Sequence, residues 1–338
     1  MKQVVCRQVG VVELAEVAAP AVSAGDILIK LDGCGICGTD IMKVYDPTVP
    51  KPVQLGHEIT GTITELGVGV SGLAIGQRVA VAHHAPDYGS HYARRGSETM
   101  DPTFKNSNVD PAGFAEYIRV PATLVPFTVF PVPDQMPSLR AAFMEPLACC
   151  LRALDRAGVC EGDTVLVIGT GAIGILFVPL LVARRAKVLA VDVRDDRLEL
   201  AREWGAVEGF LASDNRIADG VRRHGGGLGA DLVILTSTSA QSMALAMASV
   251  RDGGTIVPFG VKPNAQFTAD FWQHYRREIN LVASYSATPS GLARAMAIMA
   301  GHGFELEKLV NHQMTLAQAQ KAFGMLHEAK ASKIVLSP

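Results

Sequence analysis

The run Val165-Leu166-Val167-Ile168 leads directly into Gly169-Thr170-Gly171-Ala172-Ile173-Gly174 and then into an apolar, helix-forming stretch. A strand, a glycine turn and a helix in that order confine the surrounding chain to a small set of folds. Gly169 permits the tight turn, Gly171 lets the backbone approach a pyrophosphate, and Gly174 lets helix and strand pack closely. Ile173 stands at the helix N-terminus, where free N–H donors and the positive dipole end face an anion. Eighteen residues after Gly174 the next apolar run ends in Val191-Asp192. A carboxylate there accepts hydrogen bonds from both hydroxyls of an adenosine ribose and repels a 2'-phosphate, which favours NAD over NADP, with Arg194 and Arg197 nearby as the opposing signal.

The neighbourhood agrees with that reading. From Asp163 onward, short apolar runs alternate with helical segments, the signature of parallel βαβ units. Six strand candidates can be counted, 164–168, 187–191, 209–212, 231–235, 254–259 and 280–284, the number in a complete dinucleotide-binding sheet. Two helical stretches, 291–300 and 316–328, and a last strand, 332–336, have no place left in that sheet and are returned to the first domain. Upstream, 26–32, 58–66, 77–83 and 114–120 read as short alternating strands between Gly/Pro turns, a mostly β unit. The stretch 136–158 reads as one connecting helix with Pro146 inside it. The expected division is a domain of residues 1–148 completed by 286–338, and a nucleotide domain of residues 149–285.

Composition narrows the function classes. At 338 residues the chain fits roughly two domains of about 150 residues each. Hydrophobic residues at 49% and charged residues at 19% allow a large core and exclude a disordered chain. A net charge of -2 without a Lys/Arg block argues against a nucleic acid partner. The longest apolar runs, such as 173–183 with Pro179 inside it, fall short of the ~18 residues that cross a bilayer, so no membrane partner is expected. The N-terminus lacks signal-peptide features, which reads as a cytoplasmic protein. In that compartment the six cysteines serve more readily as buried hydrophobes, metal ligands or nucleophiles than as disulfides.

Position separates those roles. Cys34-Gly35-Ile36-Cys37-Gly38-Thr39-Asp40 ends one strand candidate, and Gly56-His57-Glu58 opens another twenty residues after Cys37. Alone, C-x-x-C reads as a redox pair or half a zinc site. Met144-Glu145-Pro146 adds a carboxylate to an otherwise apolar helix, which is costly to bury unless it is paired or bound to metal.

With these residues in view, the sequence resembles the zinc-dependent medium-chain dehydrogenase/reductases, and within them the polyol (sorbitol) and threonine dehydrogenase branch. The resemblance is carried by Cys37-Gly38-Thr39-Asp40, Gly56-His57-Glu58, the stretch 61–79, Gly113-Phe114-Ala115-Glu116-Tyr117, Glu145-Pro146-Leu147, the glycine loop and Asp192, and covers essentially the whole chain. It implies an α/β protein with a β-rich GroES-like catalytic domain and a doubly wound parallel-sheet Rossmann domain. It further implies that Cys37, His57 and Glu145 hold a catalytic zinc, and that Glu58 is the adjacent acid that approaches the metal and exchanges with water. Thr39 matches the hydroxyl that passes the reacting proton outward, and Arg197 a basic residue on the adenosine ribose. The implied activity is reversible hydride transfer between NAD and a polyol, a sugar-like hydroxyl or another secondary alcohol, with the ketone as product.

Three readings compete: an amino-alcohol dehydrogenase of the threonine type, a zinc-free NADPH-dependent enone or quinone reductase, and a nucleotide-binding protein without turnover. Cys37, His57, Glu145 and Asp192 together weigh against the second, and the intact ligand set with Thr39 against the third. Many members of the resembling family carry a structural zinc on four cysteines. At that spacing this chain has Asp87, Ser90, Ala93 and Asp101, so one zinc per chain is expected, with the two acids paired to Arg94 or Arg95. His83 and His84 precede this lobe, either lining the substrate cleft or serving structure. The apolar candidates 254–259 and 280–284 place one strand near an open sheet edge, and in the resembling family that edge pairs across a two-fold axis, so a homodimer or homotetramer is expected.

Overall fold

In the computed structural model, which describes residues 1–261, 265–266, 270–301 and 305–338, the glycine loop sits at the centre of an all-parallel sheet. Its six strands lie in the order Glu208–Leu211, Lys187–Asp192, Thr164–Ile168, Ala230–Leu235, Val250–Pro258 and Asn280–Leu281. In chain order this is 3-2-1-4-5-6, with the switch point between Thr164–Ile168 and Ala230–Leu235, where such sheets bind dinucleotides. Val165, Leu166 and Val167 are all fully buried, as central strands covered on both faces require. The helix Gly174–Ala183 is apolar nearly all round and buries Ile175 to Val178, Leu180 and Leu181. The unit that contains this sheet is Cys149–Ser286.

The sixth strand is shorter than the sequence suggests. It spans Asn280–Leu281 instead of 280–284, because after the Val282 N–H donates to the Ile256 carbonyl (2.9 Å) the ladder ends and Leu281 is already half-exposed at the sheet edge. The fifth starts earlier, at Val250 instead of 254, with a register shift opposite Ala230 and Leu232.

The other compact unit is Met1–Ala148 together with Ala287–Pro338. Its sheet runs His312–Thr315, Ile334–Ser337, Ile27–Gly35, Glu58–Leu66, Arg78–Val81 and Val129–Pro131, with Tyr117–Val120 also paired to Ile27–Gly35. Alternation along Ile27–Gly35 buries Ile27, Ile29 and Leu31 in a core shared with Ile59, Ile63, Phe114 and Phe323 while Lys30 faces water. Register matters most at the end of this strand. Gly35 stands opposite Glu58 on one side and opposite Val335 of the tail on the other.

The connector is two helices, Ser138–Ala141 and Met144–Ala157, instead of one. Pro146 explains the break. A proline is tolerated only in the first turn, where its missing N–H has no intrahelical acceptor, and the second helix begins at Met144 so that Pro146 falls there. Glu145 thereby occupies the positive end of the helix dipole. Among the described residues no helix is long and apolar enough to cross a membrane.

Phe323, on the tail helix Ala319–His327, is fully buried, with its ring centroid 6.0 Å from that of Phe114 in an edge-on contact. Phe323→Ala is expected to cost about 3–5 kcal/mol of unfolding free energy. Urea denaturation followed by fluorescence checks this, and a loss under about 1 kcal/mol would show that the tail is not part of this core.

Candidate metal centre and nucleotide loop

Where the strand Ile27–Gly35 ends, the chain turns through Cys37, the N-cap of the helix Gly38–Tyr45. Asp40 at the third helical position closes the cap: its Oδ2 accepts the Cys37 N–H at 3.1 Å. Its Oδ1 accepts the Gly56 N–H at 3.0 Å and lies 3.5 Å from His57 Nδ1. Asp40 is fully buried, so this one carboxylate joins the segment carrying Cys37 to the segment carrying His57. With Nδ1 turned to Asp40, His57 has Nε2 left for a ligand, the arrangement that fixes a metal-binding imidazole.

The sulfur of Cys37, a ring nitrogen of His57 and a carboxylate oxygen of Glu58 lie within 4.8 Å of one another. A thiolate, an imidazole and a carboxylate form a donor set suited to zinc. Two observations show that the pocket fits a cation. Glu58 is fully buried; its Oε2 is engaged by Lys333, but its Oε1 has no hydrogen-bond partner, and an unsatisfied buried acceptor is costly unless another group meets it. Burial pushes the pKa of His57 down, yet the negative charges of Asp40 and Cys37 outweigh burial and hold it well above the usual histidine range. Burial likewise pushes Asp40 up, and His57 with the Gly56 N–H brings it below the usual carboxylate range.

The structure brings Glu58 into this three-residue group. Glu145 is buried in the first turn of Met144–Ala157, and Thr39 is exposed two residues beyond Cys37. The sheet register accounts for the place of Glu58, because Gly35 opposite it carries no side chain and leaves room for the carboxylate beside the Cys37 turn. Sequence reasoning missed Asp40 and Lys333 as parts of the site. The capping-box position of Asp40, three residues after Cys37, was a usable signal.

His83 lies against His57, with ring centroids 4.9 Å apart, and against His84 at 3.7 Å. Burial, reinforced by the neighbouring imidazoles, pushes His83 well below the usual range and His84 to about 4. Both are neutral near pH 7 and do not repel a cation at His57.

The lobe without cysteines is held by caps. Ser90 Oγ accepts the Ala93 N–H at 3.1 Å at the start of His91–Arg94, and Asp101 Oδ1 accepts the Phe104 N–H (3.1 Å) and the Asp87 N–H (3.2 Å). Asp87 Oδ1 accepts the Gly89 N–H at 2.8 Å. The expected pairing of Asp87 or Asp101 with Arg94 or Arg95 does not occur among the described residues. Backbone donors satisfy the acids instead, at the start of the helix Pro102–Asn106 for Asp101 and in the turn before Ser90 for Asp87, and Arg94 turns to the Ser90 carbonyl.

In the nucleotide unit, Gly169 has φ +90°, and its carbonyl accepts Thr236 Oγ1 at 2.7 Å. A Cβ on Gly174 would lie 1.8 Å from that carbonyl oxygen, so only glycine fits. Gly171 is less crowded: a Cβ there would have Arg197 Nη1 as its nearest neighbour at 3.7 Å. Ile173 caps the helix that begins at Gly174. Asp192 is 4% exposed; its Oδ2 accepts the Thr170 N–H at 2.7 Å, and its Oδ1 accepts the Arg194 N–H at 3.1 Å and lies 3.5 Å from Arg197 Nη1. The Arg194 guanidinium is bound at two points by Asp196, at 2.9 and 2.6 Å.

Comparison with known proteins gives concordant results. Residues 23–134 match the family described as alcohol dehydrogenase GroES-like domain, and residues 172–301 the family described as zinc-binding dehydrogenase. The chain is 30% identical over 334 residues to L-threonine 3-dehydrogenase of Xanthomonas campestris pv. campestris strain B100, covering 96% of this chain and 95% of the relative. Among solved structures it is similar to galactitol-1-phosphate dehydrogenase from Escherichia coli, with 26% identity, a TM-score of 0.88 and all of both chains covered. A zinc-binding-dehydrogenase homologue from Sinorhizobium meliloti 1021 bound to NADP is 27% identical with a TM-score of 0.87, covering 100% of this chain and 99% of that one.

The half-buried histidines 83 and 84 set an acid limit on stability. For His84, with a pKa of about 4 in the fold and about 6.5 unfolded, the unfolded chain binds the proton first as pH falls. Stability is therefore full above about pH 6.5 and declines by up to about 3 kcal/mol towards pH 4. His84→Asn, which keeps a donor for the Ser107 carbonyl now 2.7 Å from Nδ1, is expected to reduce the fall in Tm between pH 7 and pH 4.5. His83 leaves a residual slope of the same sign. An unchanged slope in the variant would refute the assignment.

Proposed function

Because the chain belongs to the zinc-type medium-chain dehydrogenase/reductases of the alcohol dehydrogenase superfamily, we propose that this oxidoreductase transfers hydride reversibly between NAD and a polyol, a sugar-like hydroxyl or another secondary alcohol. The observation that carries the reading is the convergence of Cys37, His57 and Glu58 beside the buried Asp40. These three side chains hold the metal in this proposal. Glu145 is assigned as the second carboxylate of this centre, the ligand that the resemblance implies. Bound zinc supplies Lewis acidity, which makes an alcohol hydroxyl acidic near neutral pH.

The chain's own residues do the rest. Asp40 fixes the orientation of His57 and of the Cys37 backbone. Thr39, exposed beside Cys37, accepts the hydroxyl proton and passes it to water. Gly169, Gly171, Ile173 and Gly174 cradle the pyrophosphate, and Asp192 receives the ribose hydroxyls with Arg197 alongside. Commitment of Arg194 to Asp196 withdraws one guanidinium from any 2'-phosphate, which supports NAD. The relatives are named for L-threonine and for galactitol-1-phosphate, an amino alcohol and a polyol phosphate. The shared chemistry is oxidation at a secondary hydroxyl, and the amino-alcohol reading stands second. Caps in the lobe 87–101 support one zinc per chain. The sheet edge at Asn280–Leu281 is the place for a two-fold contact, giving a homodimer or homotetramer.

Reduction of NAD⁺ screened against polyols, amino alcohols and simple secondary alcohols tests the reading. Cys37→Ser is expected to lower kcat by at least about 100-fold while NAD binding, followed by calorimetry, is kept. Asp192→Ala should weaken NAD and narrow its advantage over NADP. Full turnover in a zinc-free preparation would overturn the metal assignment, and a higher kcat/KM with NADP in the unaltered protein would overturn the cofactor assignment.

A further inference from the structure

Lys333 has no part in the chemistry described above, yet it is the only lysine among the buried polar residues described, at 2% exposure. The tail strand Ile334–Ser337, antiparallel to Ile27–Gly35, delivers it from the far end of the sequence. Its Nζ donates to Glu58 Oε2 and to the Ile36 carbonyl (3.3 Å), and stands 5.4 Å from the centroid of the Phe143 ring. The space for this pair is made by Gly35. A Cβ there would lie 1.9 Å from Glu58 Oε2 and 3.0 Å from Lys333 Nζ. Burying an ammonium and a carboxylate is expensive even when they are paired, and a glycine on a central strand adds to that cost. Both costs fall on the residue whose other oxygen, Oε1, is buried without a partner beside Cys37 and His57.

We propose that Lys333 is a positioning residue that holds Oε2 of Glu58 and so limits Glu58 to a single-oxygen, weakly held metal ligand through Oε1. The inference rests on the reading that Cys37, His57 and Glu58 bind zinc. A carboxylate with both oxygens free can close on a metal through both and fill the position that a substrate oxygen needs. A cation on one oxygen prevents that and draws charge away from the other. The main chain is committed to the same end, since Ile36 N–H donates to the Ile334 carbonyl (2.9 Å) and so ties the tail to the turn that carries Cys37. A purely structural cross-tie would share this geometry, but it would move stability and leave metal exchange alone.

The test is zinc release from the full-length, zinc-loaded protein into excess chromogenic chelator. Lys333→Met and Lys333→Gln should each slow release by at least about tenfold, and Lys333→Arg should stay within about threefold of the unaltered protein. In a Glu58→Gln background, Lys333→Met should change the rate by no more than about twofold, since the lysine acts through that carboxylate. Cobalt-substituted Lys333→Met should show the weaker visible absorption of a higher coordination number. Unchanged or faster release in both neutral variants would overturn the proposal, as would slowing that persists in the Glu58→Gln background. Failure of both neutral variants to fold in zinc-containing buffer would mark Lys333 as a structural cross-tie and equally overturn it. An unaltered protein that takes up no zinc would instead remove the metal reading on which the proposal rests.

Discussion

The buried carboxylate of Asp40 is the contact on which the metal centre depends. It accepts two backbone N–H groups, one from each of two segments, and faces the ring of His57. Removing it would leave two buried donors unpaired and the imidazole without a fixed orientation, each a loss on the order of 1–3 kcal/mol. Its own burial is tolerable because every partner is a donor or a cation. The same contact that stabilises the turn after Ile27–Gly35 therefore also sets the distance between the sulfur of Cys37 and the ring of His57, so fold stability and site geometry are coupled at one residue.

The charge pattern around that contact is consistent with a divalent ion. Asp40, Glu58 and a metal-binding thiolate at Cys37 bring three negative charges, and Lys333 returns one positive charge. His83 and His84, held neutral by burial, add none. Net negative charge remains in a buried pocket, as a site for a cation requires. Gly35 leaves the space that the Glu58–Lys333 pair occupies, since a Cβ there would lie 1.9 Å from Glu58 Oε2 and 3.0 Å from Lys333 Nζ.

The nucleotide half was legible because its signals are local. The glycine loop, the acid after the second strand and the six apolar runs each lie within a short stretch, and the observed 3-2-1-4-5-6 sheet contains all six runs. The errors there lie at strand ends, such as the two-residue strand Asn280–Leu281, where pairing on one side only sets the limit. That Cys37, His57 and Glu58 stand together was expected from the motifs that carry the family resemblance. The room that Gly35 leaves for the Glu58 carboxylate was not legible, because it depends on which residues face each other across the sheet. Lys333 was invisible for the same reason, being 275 residues from its partner in sequence. In the lobe 87–101 the residues were seen but their partners were misread, since backbone donors in a turn and at a helix start, in place of nearby arginines, meet the two acids.

The central claim is that Cys37, His57 and a carboxylate form one mixed-ligand zinc centre. X-ray absorption at the zinc edge of the purified protein tests it most directly. The account predicts about one zinc per chain with one sulfur at about 2.3 Å and the remaining nitrogen and oxygen ligands at about 2.0–2.2 Å. Absence of zinc, a shell without sulfur, or one made of several sulfurs would contradict it.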